Sequence, residues 1–120
     1  MSSLQGFYVR ITSPSLTDSV VVHVRIDASH EVYKGHFPDQ PVAPGAALTQ
    51  MVIDEAARMI GASTTFIGAK QVKFLSVLDP TKTQELELHY TFVERDGGSQ
   101  FACTGKNAET IFYKINGAFG

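Results

Sequence analysis

The sequence contains little cysteine and no apolar stretch that approaches the length of a membrane span. Its single cysteine, Cys103, cannot close an internal disulfide, and no second thiol is present to complete a zinc site. A buried, unreactive strand residue is the simplest role for it, and a reducing compartment is expected. The first six residues lack the basic and long apolar regions of a signal peptide, so a cytoplasmic location is predicted.

Charge of either sign is also scarce. Lysine and arginine total 10, aspartate and glutamate total 12, and the formal net charge is −2. This balance gives no indication of a nucleic-acid or membrane partner. With 43% hydrophobic residues in a length of 120, the chain has the composition of a soluble globular protein, and we predict a single domain over residues 1–120.

One long helix and several strands can be predicted from the residue pattern. Residues Ala46 to Ile60 are strong helix formers that end at Gly61, and their apolar side chains cover more than half of the helical circumference. We therefore expect this helix to be buried at the centre of the domain. Alternation of apolar and polar residues predicts strands before and after it. These are Phe7 to Thr12, Val20 to Ile26, Phe66 to Leu75, Glu85 to Glu94, Ser99 to Gly105 and Thr110 to Gly117.

The predicted fold class is α+β, with an antiparallel sheet wrapped around one long central helix. That arrangement is the simplest way to bury so apolar a helix. The first two strands should pair as a hairpin. Because a sheet of about six strands leaves an exposed edge and covers the helix only in part, a homodimer is expected.

Three polar residues interrupt the apolar helix along one stripe. Gln50, Asp54 and Arg58 are spaced by four, so they share a face. The simplest interpretation makes Asp54 and Arg58 an ion pair at the solvent or dimer edge. Gln50 lies in the second turn, at the end of the helix next to the preceding loop.

The segment Gly35 to Gly45 is the most constrained part of the chain, with three prolines and two glycines in eleven residues. These residues fix an irregular backbone path around His36, whose side chain exchanges a proton near neutral pH. Pro44 is favoured at the first helical position, which leaves the amide of Gly45 or of its neighbour free at the positive end of the helix. One short stretch therefore offers both a base and a donor for an oxyanion.

The other three histidines lack such a setting. His23 and His89 alternate outward on predicted strands, as surface residues do. His30 lies in a turn region and has no partner that the sequence reveals. The spacing of the histidines is too wide for a compact ligand set, so no metal is expected.

The loop and the helix that follows it resemble a known family. The pattern Gly35-His36-Phe37-Pro38-x-x-Pro41-Val42-x-Pro44-Gly45 is similar to that of the β-hydroxyacyl-(acyl carrier protein) dehydratases of the hot-dog fold, the FabZ/FabA-like enzymes. The resemblance is sharp from Gly35 to about Ile60. It implies a hydro-lyase that removes water from a 3-hydroxyacyl thioester and leaves the trans-2-enoyl thioester, in fatty-acid or polyene-type synthesis. No cofactor is implied beyond the phosphopantetheine that carries the substrate on acyl carrier protein or coenzyme A.

The resemblance assigns three catalytic positions. His36 would be the base, and the amide of Gly45 would bind the thioester oxygen. The third position holds Asp or Glu in these dehydratases, contributed by the partner subunit, and here it is Gln50. Glutamine forms hydrogen bonds but does not titrate. His36 would therefore move both protons while Gln50 orients a water molecule or the substrate hydroxyl.

Alternatives remain open because of that departure. Asp54 would supply the acid if the site were shifted by about 6 Å along the helix. The domain would otherwise bind acyl chains, or pair with an active relative, without catalysis. Thioester hydrolysis on the same fold is the enzymatic rival, and the His-Phe-Pro loop favours dehydration over it.

The resemblance also predicts where the substrate and its carrier lie. The acyl chain would run along the helix in a tunnel between two subunits. Its lining residues would be Phe37, Val42, Pro44, Ala46, Ala47 and Phe74. An acidic acyl carrier protein would be contacted by basic side chains. The candidates are Arg10, Lys34, Lys70 and Lys73.

Overall fold

The computed structural model of the chain describes residues 5–33, 42–61, 65–95 and 97–120. In these ranges six strands form one antiparallel sheet, and one long helix packs against it. The strands are β1 (Tyr8–Arg10), β2 (Ser19–Ile26), β3 (Phe66–Phe74), β4 (Glu85–Arg95), β5 (Gly98–Asn107) and β6 (Thr110–Phe119). The helix is α1 (Gly45–Ile60), and a short 3-10 turn at Glu31–Tyr33 precedes it.

The strands lie in the order β1-β2-β4-β5-β6-β3. β1 and β2 pair antiparallel, as the predicted hairpin requires, with Tyr8 opposite Ile26. β4, β5 and β6 follow one another as a meander. β3, which comes directly after the helix, crosses to the far edge and pairs with β6. The predicted architecture, an antiparallel sheet with one central helix, is confirmed.

The core lies between one face of α1 and one face of the sheet. The buried apolar residues of the helix are Ala47, Leu48, Met51, Val52 and Ala56. They pack in one cluster with inward-facing strand residues that include Val22, Leu88, Cys103, Tyr113 and Ile115. The Tyr90 hydroxyl donates to the Val52 carbonyl at 2.6 Å and ties helix to sheet.

The helix is buried on that face only, because Ala46 and Asp54 are exposed. The prediction that the helix is buried at the centre of the domain therefore holds for one face of the helix within a single chain. In the described part of the chain, no helix is both long and apolar enough to cross a membrane.

The two edges of the sheet differ in length and in character. β1 has only three residues, whereas β3 has nine, and nearly all of them are exposed. Ile67 is 70% exposed and Phe74 is 50% exposed. The sheet therefore ends in a long edge strand that carries apolar side chains in contact with water.

Candidate active site

The loop that carries His36 and Phe37 lies in residues 34–41, outside the described part of the chain, so the roles of both remain predictions. Its C-terminal end is described from Val42 onward. The Ala43 N–H donates to the Leu78 carbonyl at 2.9 Å. The connection between β3 and β4 therefore fixes the end of this loop and the start of the helix.

The helix begins at Gly45, which lies between Pro44, expected at the first helical position, and Ala46, where the predicted helical segment starts. Pro44 is the N-cap rather than the first helical residue, because its φ of −63° and ψ of 137° are those of extended backbone. Its carbonyl accepts the N–H of Leu48 at 3.0 Å, which closes the first turn. Gly45 is the first helical residue. The N–H groups of a first turn have no partner within the helix and lie at the positive end of its dipole. The amide expected to receive an oxyanion is therefore at the helix start.

A pocket of about 340 Å³ lies beside Gly45. It brings together four of the residues predicted from the sequence, which are Val42, Pro44, Gly45 and Phe74. Its other lining residues include Leu48 and the segment 75–78 after β3. Sequence reasoning missed these five, although the apolar residues around Ser76 could have indicated a pocket wall. The pocket surface is mainly apolar, which suits an acyl chain.

Phe74 covers the helix start directly. A methyl group added at Gly45 would lie 2.7 Å from Cζ of the Phe74 ring. The ring of Tyr113 packs edge-on against Phe74, with 6.4 Å between the two ring centroids. Glycine at position 45 therefore lets the aromatic ring approach the backbone of the first helical turn, and the ring closes one side of the pocket.

The two alanines that follow Gly45 lie elsewhere. Ala46 is exposed, and Ala47 is buried. Ala47 lines a second cavity of about 280 Å³, which also contacts Arg10, Met51 and Asp54. Within one chain, Ala47 therefore lines a different cavity from the one beside Gly45, and its predicted place in a tunnel between two subunits stays a prediction.

Gln50 is held by its neighbour one turn along the helix. Its amide Nε2 donates to Oδ1 of Asp54 at 2.8 Å. Since an ionised carboxylate only accepts hydrogen bonds, the amide nitrogen must face Asp54 and the amide oxygen Oε1 must face away from it. Among the described residues, Gln50 does not line the pocket beside Gly45 of its own chain. It therefore presents a fixed acceptor on the face of α1 next to the second cavity.

The predicted ion pair between Asp54 and Arg58 is wrong. Arg58 Nε instead lies 3.1 Å from Oε1 of Glu55, three residues before it. Glu55 is fully buried and is a better partner than Asp54, because an exposed carboxylate is already hydrated. Asp54 is left to accept from Gln50.

Glu55 is the centre of a charged cluster that the sequence analysis did not identify. The Tyr8 hydroxyl donates to Oε2 at 2.5 Å. Arg10 donates from Nε to Oε1 at 2.8 Å and from Nη2 to Oε2 at 3.0 Å, a bidentate contact. The guanidinium of Arg10 is thus engaged with the helix, although Arg10 was predicted to contact a carrier protein. The position of Glu55 among the buried residues of α1, four after Met51, was the available signal.

The hydrogen bonds of this cluster control its protonation. Burial acts to raise the pKa of Glu55, but the hydrogen bonds from Arg10, Tyr8 and Arg58 outweigh it and hold the pKa below its ordinary value of 4.5. Burial, with the Glu55 carboxylate next in importance, raises the pKa of the Tyr8 hydroxyl. Glu55 is therefore an ionised structural carboxylate that joins α1 to β1, not a proton donor.

The other three histidines either have hydrogen-bond partners or lie partly exposed on the sheet. His23 and His89 are partly exposed, and Nε2 of His89 lies 2.8 Å from Glu87. His30, for which the sequence reveals no partner, has two: its Nδ1 accepts from the Val32 N–H at 3.0 Å, and its Nε2 lies 3.1 Å from the Gln5 carbonyl. In the described ranges no group of three or more His, Cys, Asp or Glu side chains could hold a metal ion.

Cys103 is buried, and burial raises the pKa of its thiol. A thiol in that state is a weak nucleophile. This agrees with the predicted role of an unreactive strand residue.

Comparison with known proteins identifies relatives of this chain. The 3-hydroxyacyl-(acyl carrier protein) dehydratase FabZ of Levilactobacillus brevis is 27% identical over 113 residues, covering 88% of this chain and 75% of the relative. FabZ of Chlamydia trachomatis serovar D is 24% identical over 95 residues, 72% of this chain. The match spans 62% of the length of that relative.

A solved structure and a family model complete the comparison. The dehydratase heterocomplex ApeI:P from Xenorhabdus doucetiae matches with a TM-score of 0.73 at 20% identity, covering 92% of this chain and 96% of that one. This likeness confirms the hot-dog fold. The model of the ApeI-like family, described as ApeI dehydratase, matches residues 12–114. The chain therefore belongs to the ApeI-like dehydratase family of the hot-dog fold.

Proposed function

We propose that this protein is a 3-hydroxyacyl-(acyl carrier protein) dehydratase. The observation that carries the proposal is the pocket beside Gly45, where the end of the His-Phe-Pro loop, the first amide of α1 and the Phe74 ring meet. Membership of a dehydratase family supports the reaction type. FabZ relatives support the substrate class, since their names specify 3-hydroxyacyl groups on acyl carrier protein.

In the proposed reaction, His36 removes a proton from the α-carbon of the thioester. The electrons of that bond form the double bond between the α- and β-carbons, and the bond from the β-carbon to its hydroxyl breaks. The Gly45 amide stabilises negative charge that develops on the thioester oxygen, in the manner of an oxyanion hole. The leaving hydroxyl takes the proton back from His36 and departs as water.

Gln50 orients the hydroxyl in this scheme and does not donate a proton. Its amide oxygen faces away from Asp54, so it can accept a hydrogen bond from the substrate hydroxyl or from a water molecule beside it. Gln50 lies outside the pocket that Gly45 lines in the same chain. A second subunit would therefore have to supply Gln50 to that pocket, which favours an active site shared between two copies.

The long edge of β3 supports a homodimer that forms this shared site. An exposed edge strand offers free backbone N–H and C=O groups for pairing with another chain. The β3 edge adds exposed apolar side chains at Ile67 and Phe74, and Val77 follows it at 69% exposed. Phe74 also lines the pocket, so pairing along this edge would place the partner next to the proposed site.

The test is dehydration of 3-hydroxybutyryl carrier protein, followed by ultraviolet absorption of the enoyl thioester. The wild type should be active, and His36→Ala should lose activity by at least about a hundredfold, as removal of a general base does. His23→Ala, a change on the outer face of β2, is the matched control. A wild type without activity, together with a gain of activity in Gln50→Glu, would instead show a binding or partner subunit. Silence of all variants would overturn the proposal.

A further inference from the structure

The imidazole of His30 is held through both of its nitrogens and through its ring. Nδ1 accepts a hydrogen bond from the Val32 N–H at 3.0 Å, and Nε2 lies 3.1 Å from the carbonyl oxygen of Gln5. Because a carbonyl oxygen only accepts hydrogen bonds, Nε2 must carry the ring hydrogen while Nδ1 carries none. The ring also makes a T-shaped contact with Phe7, with 5.9 Å between the two centroids. His30 therefore has one defined orientation and one defined tautomer.

His30 caps the short 3-10 turn Glu31–Tyr33. Its carbonyl accepts the N–H of Tyr33 at 3.2 Å, and its side chain accepts the N–H of Val32, the second residue of the turn. An N-cap residue at the start of a helix makes the same two bonds, one through its carbonyl and one through its side chain. A 3-10 turn has poorer hydrogen-bond geometry than an α-helix, so the cap contributes a large share of its order.

The capped turn leads directly into the loop that carries His36. Tyr33, the last described residue before that loop, is 6% exposed and stacks on Phe7 with 6.3 Å between the centroids. Phe7 thus contacts both His30 and Tyr33. His36 follows Tyr33 by three residues in the sequence, so the place where the chain leaves the turn limits where the proposed base can lie.

The two ends of the loop are fixed in different ways. At its C-terminal end, the Ala43 N–H donates to the Leu78 carbonyl at 2.9 Å. Both of these groups belong to the backbone, so a change of side chain does not remove the bond. At its N-terminal end, the turn depends on the side-chain nitrogen of His30. A single substitution can therefore alter the start of the loop.

We propose that His30 is a positioning residue for the dehydration, which fixes the start of the His36 loop by capping the turn Glu31–Tyr33. This inference rests on the proposed function, in which His36 is the base. His30 moves no proton itself, because both of its nitrogens are engaged with backbone groups. A general base must lie within hydrogen-bonding reach of the proton that it removes, and a misplacement of about 1 Å can lower the rate by about a hundredfold.

Two substitutions of His30 separate the hydrogen bond from the packing of the ring. His30→Asn removes the ring and keeps an acceptor beside the Val32 N–H, since asparagine is a preferred cap residue. His30→Phe keeps a ring against Phe7 and removes both nitrogens. With 3-hydroxybutyryl carrier protein, His30→Phe should lower kcat by about tenfold or more and change KM by less than about twofold. His30→Asn should keep kcat within about threefold of the wild type.

Glu31→Gln, an exposed change at the next residue of the same turn, is the control and should leave kcat unchanged. A wild-type kcat in His30→Phe would overturn the positioning role and leave the proposed function intact. A larger loss in His30→Asn than in His30→Phe would also overturn it, because packing of the ring would then carry the effect.

Nuclear magnetic resonance without substrate makes the test independent of dehydratase activity. Hydrogen exchange of the Val32 amide should be faster in His30→Phe than in the wild type, and His30→Asn should restore slow exchange. The Cε1–H signal of His36 should move in His30→Phe and stay in place in Glu31→Gln. An unchanged Val32 exchange rate or an unchanged His36 signal in His30→Phe would refute the proposal, whether or not the wild type is active.

Discussion

The ring of Phe74, the last residue of β3, lies so close to Gly45, the first residue of α1, that an added methyl group would come within 2.7 Å of its Cζ atom. The contact joins the strand at the sheet edge to the positive end of the helix. It therefore couples the wall of the proposed pocket to the amide that would hold the thioester oxygen.

Gly45→Ala should impair catalysis more than folding. Phe74 is 50% exposed, so its ring can turn toward solvent, and the loss in free energy of unfolding should remain below about 1 kcal/mol. The methyl group and the displaced ring would change the pocket around the amide, and kcat/KM should fall about tenfold or more. Denaturation by urea and a steady-state dehydration assay measure the two effects.

Gly68→Ala is the control for that substitution, because nothing lies within 4 Å of a methyl group added there. Full activity of Gly45→Ala would contradict the role given to the pocket at the helix start.

Asp54→Ala should lower kcat by about two- to tenfold, which corresponds to one hydrogen bond worth 0.5–1.5 kcal/mol. The reason is that the Gln50 amide loses the acceptor that fixes its orientation. KM and thermal stability should change little, since Asp54 is exposed. Asp54→Asn retains an acceptor oxygen and should recover most of the rate. Equal kcat values for wild type and Asp54→Ala would show that this hydrogen bond has no part in the reaction.

Glu55→Ala should reduce the free energy of unfolding by about 3 kcal/mol, the lower end of the range for breaking a buried ion pair. The lower end applies because the side chains of Arg10 and Arg58 are 33% and 28% exposed and keep some hydration. Asp54→Ala, at the adjacent exposed position, should cost less than about 0.5 kcal/mol. Urea denaturation measures the free energy of unfolding of both variants. Similar losses of free energy in the two would refute the stabilising role given to the Glu55 ion pairs.

The same carboxylate should make stability depend on acid pH. The pKa of Glu55 is lower in the folded protein than its ordinary value of 4.5, so protons bind more readily to the unfolded chain. Its contribution to stability is complete above that value and is lost as the pH falls through the folded-state pKa. The difference in unfolding free energy between wild type and Glu55→Gln, measured from about pH 7 to pH 3, should therefore shrink below about pH 4.5. A difference in unfolding free energy that stays constant from about pH 7 to pH 3 would contradict a contribution of Glu55 ionisation to stability.

Charge on the β3 edge should weaken the proposed dimer. Ile67→Glu combined with Val77→Glu introduces carboxylates at positions that are 70% and 69% exposed, so the fold of one chain should be retained. Sedimentation velocity over a range of concentrations should show a shift from dimer to monomer. Val9→Glu, on the short edge strand β1, is the matched control. Dissociation by Val9→Glu alone would place the interface at the opposite edge.

Local patterns in the sequence were sufficient for the elements of this fold. The alternation from Val20 to Ile26 predicts β2, and the helix formers up to Ile60 predict α1 and its C-terminal end. These features depend on residues close together in the sequence, so they can be predicted from the sequence alone. The position of β3 beside β6 depends on packing of the whole sheet and could not be predicted.

The candidate site was predictable to the extent that it is local. Pro44 and Gly45 are adjacent, and their properties indicate a helix start with a free amide. Two partners of Glu55, Arg10 and Tyr8, lie 45 and 47 residues earlier in β1, which is hydrogen-bonded to β2. The choice of Arg58 between Asp54 and Glu55 depends on which carboxylate is buried, and spacing by four could not reveal this.

The Glu55 cluster also limits how related sequences can diverge. Loss of one member of a buried ionic group is costly, whereas exchange of the whole group for apolar residues is often tolerated. In relatives that have an apolar residue at the position of Glu55, we expect apolar residues at the positions of Tyr8 and Arg10 as well. The beginning of β1 and the middle of α1 would then be inherited as a single unit, although 45 residues separate Arg10 from Glu55.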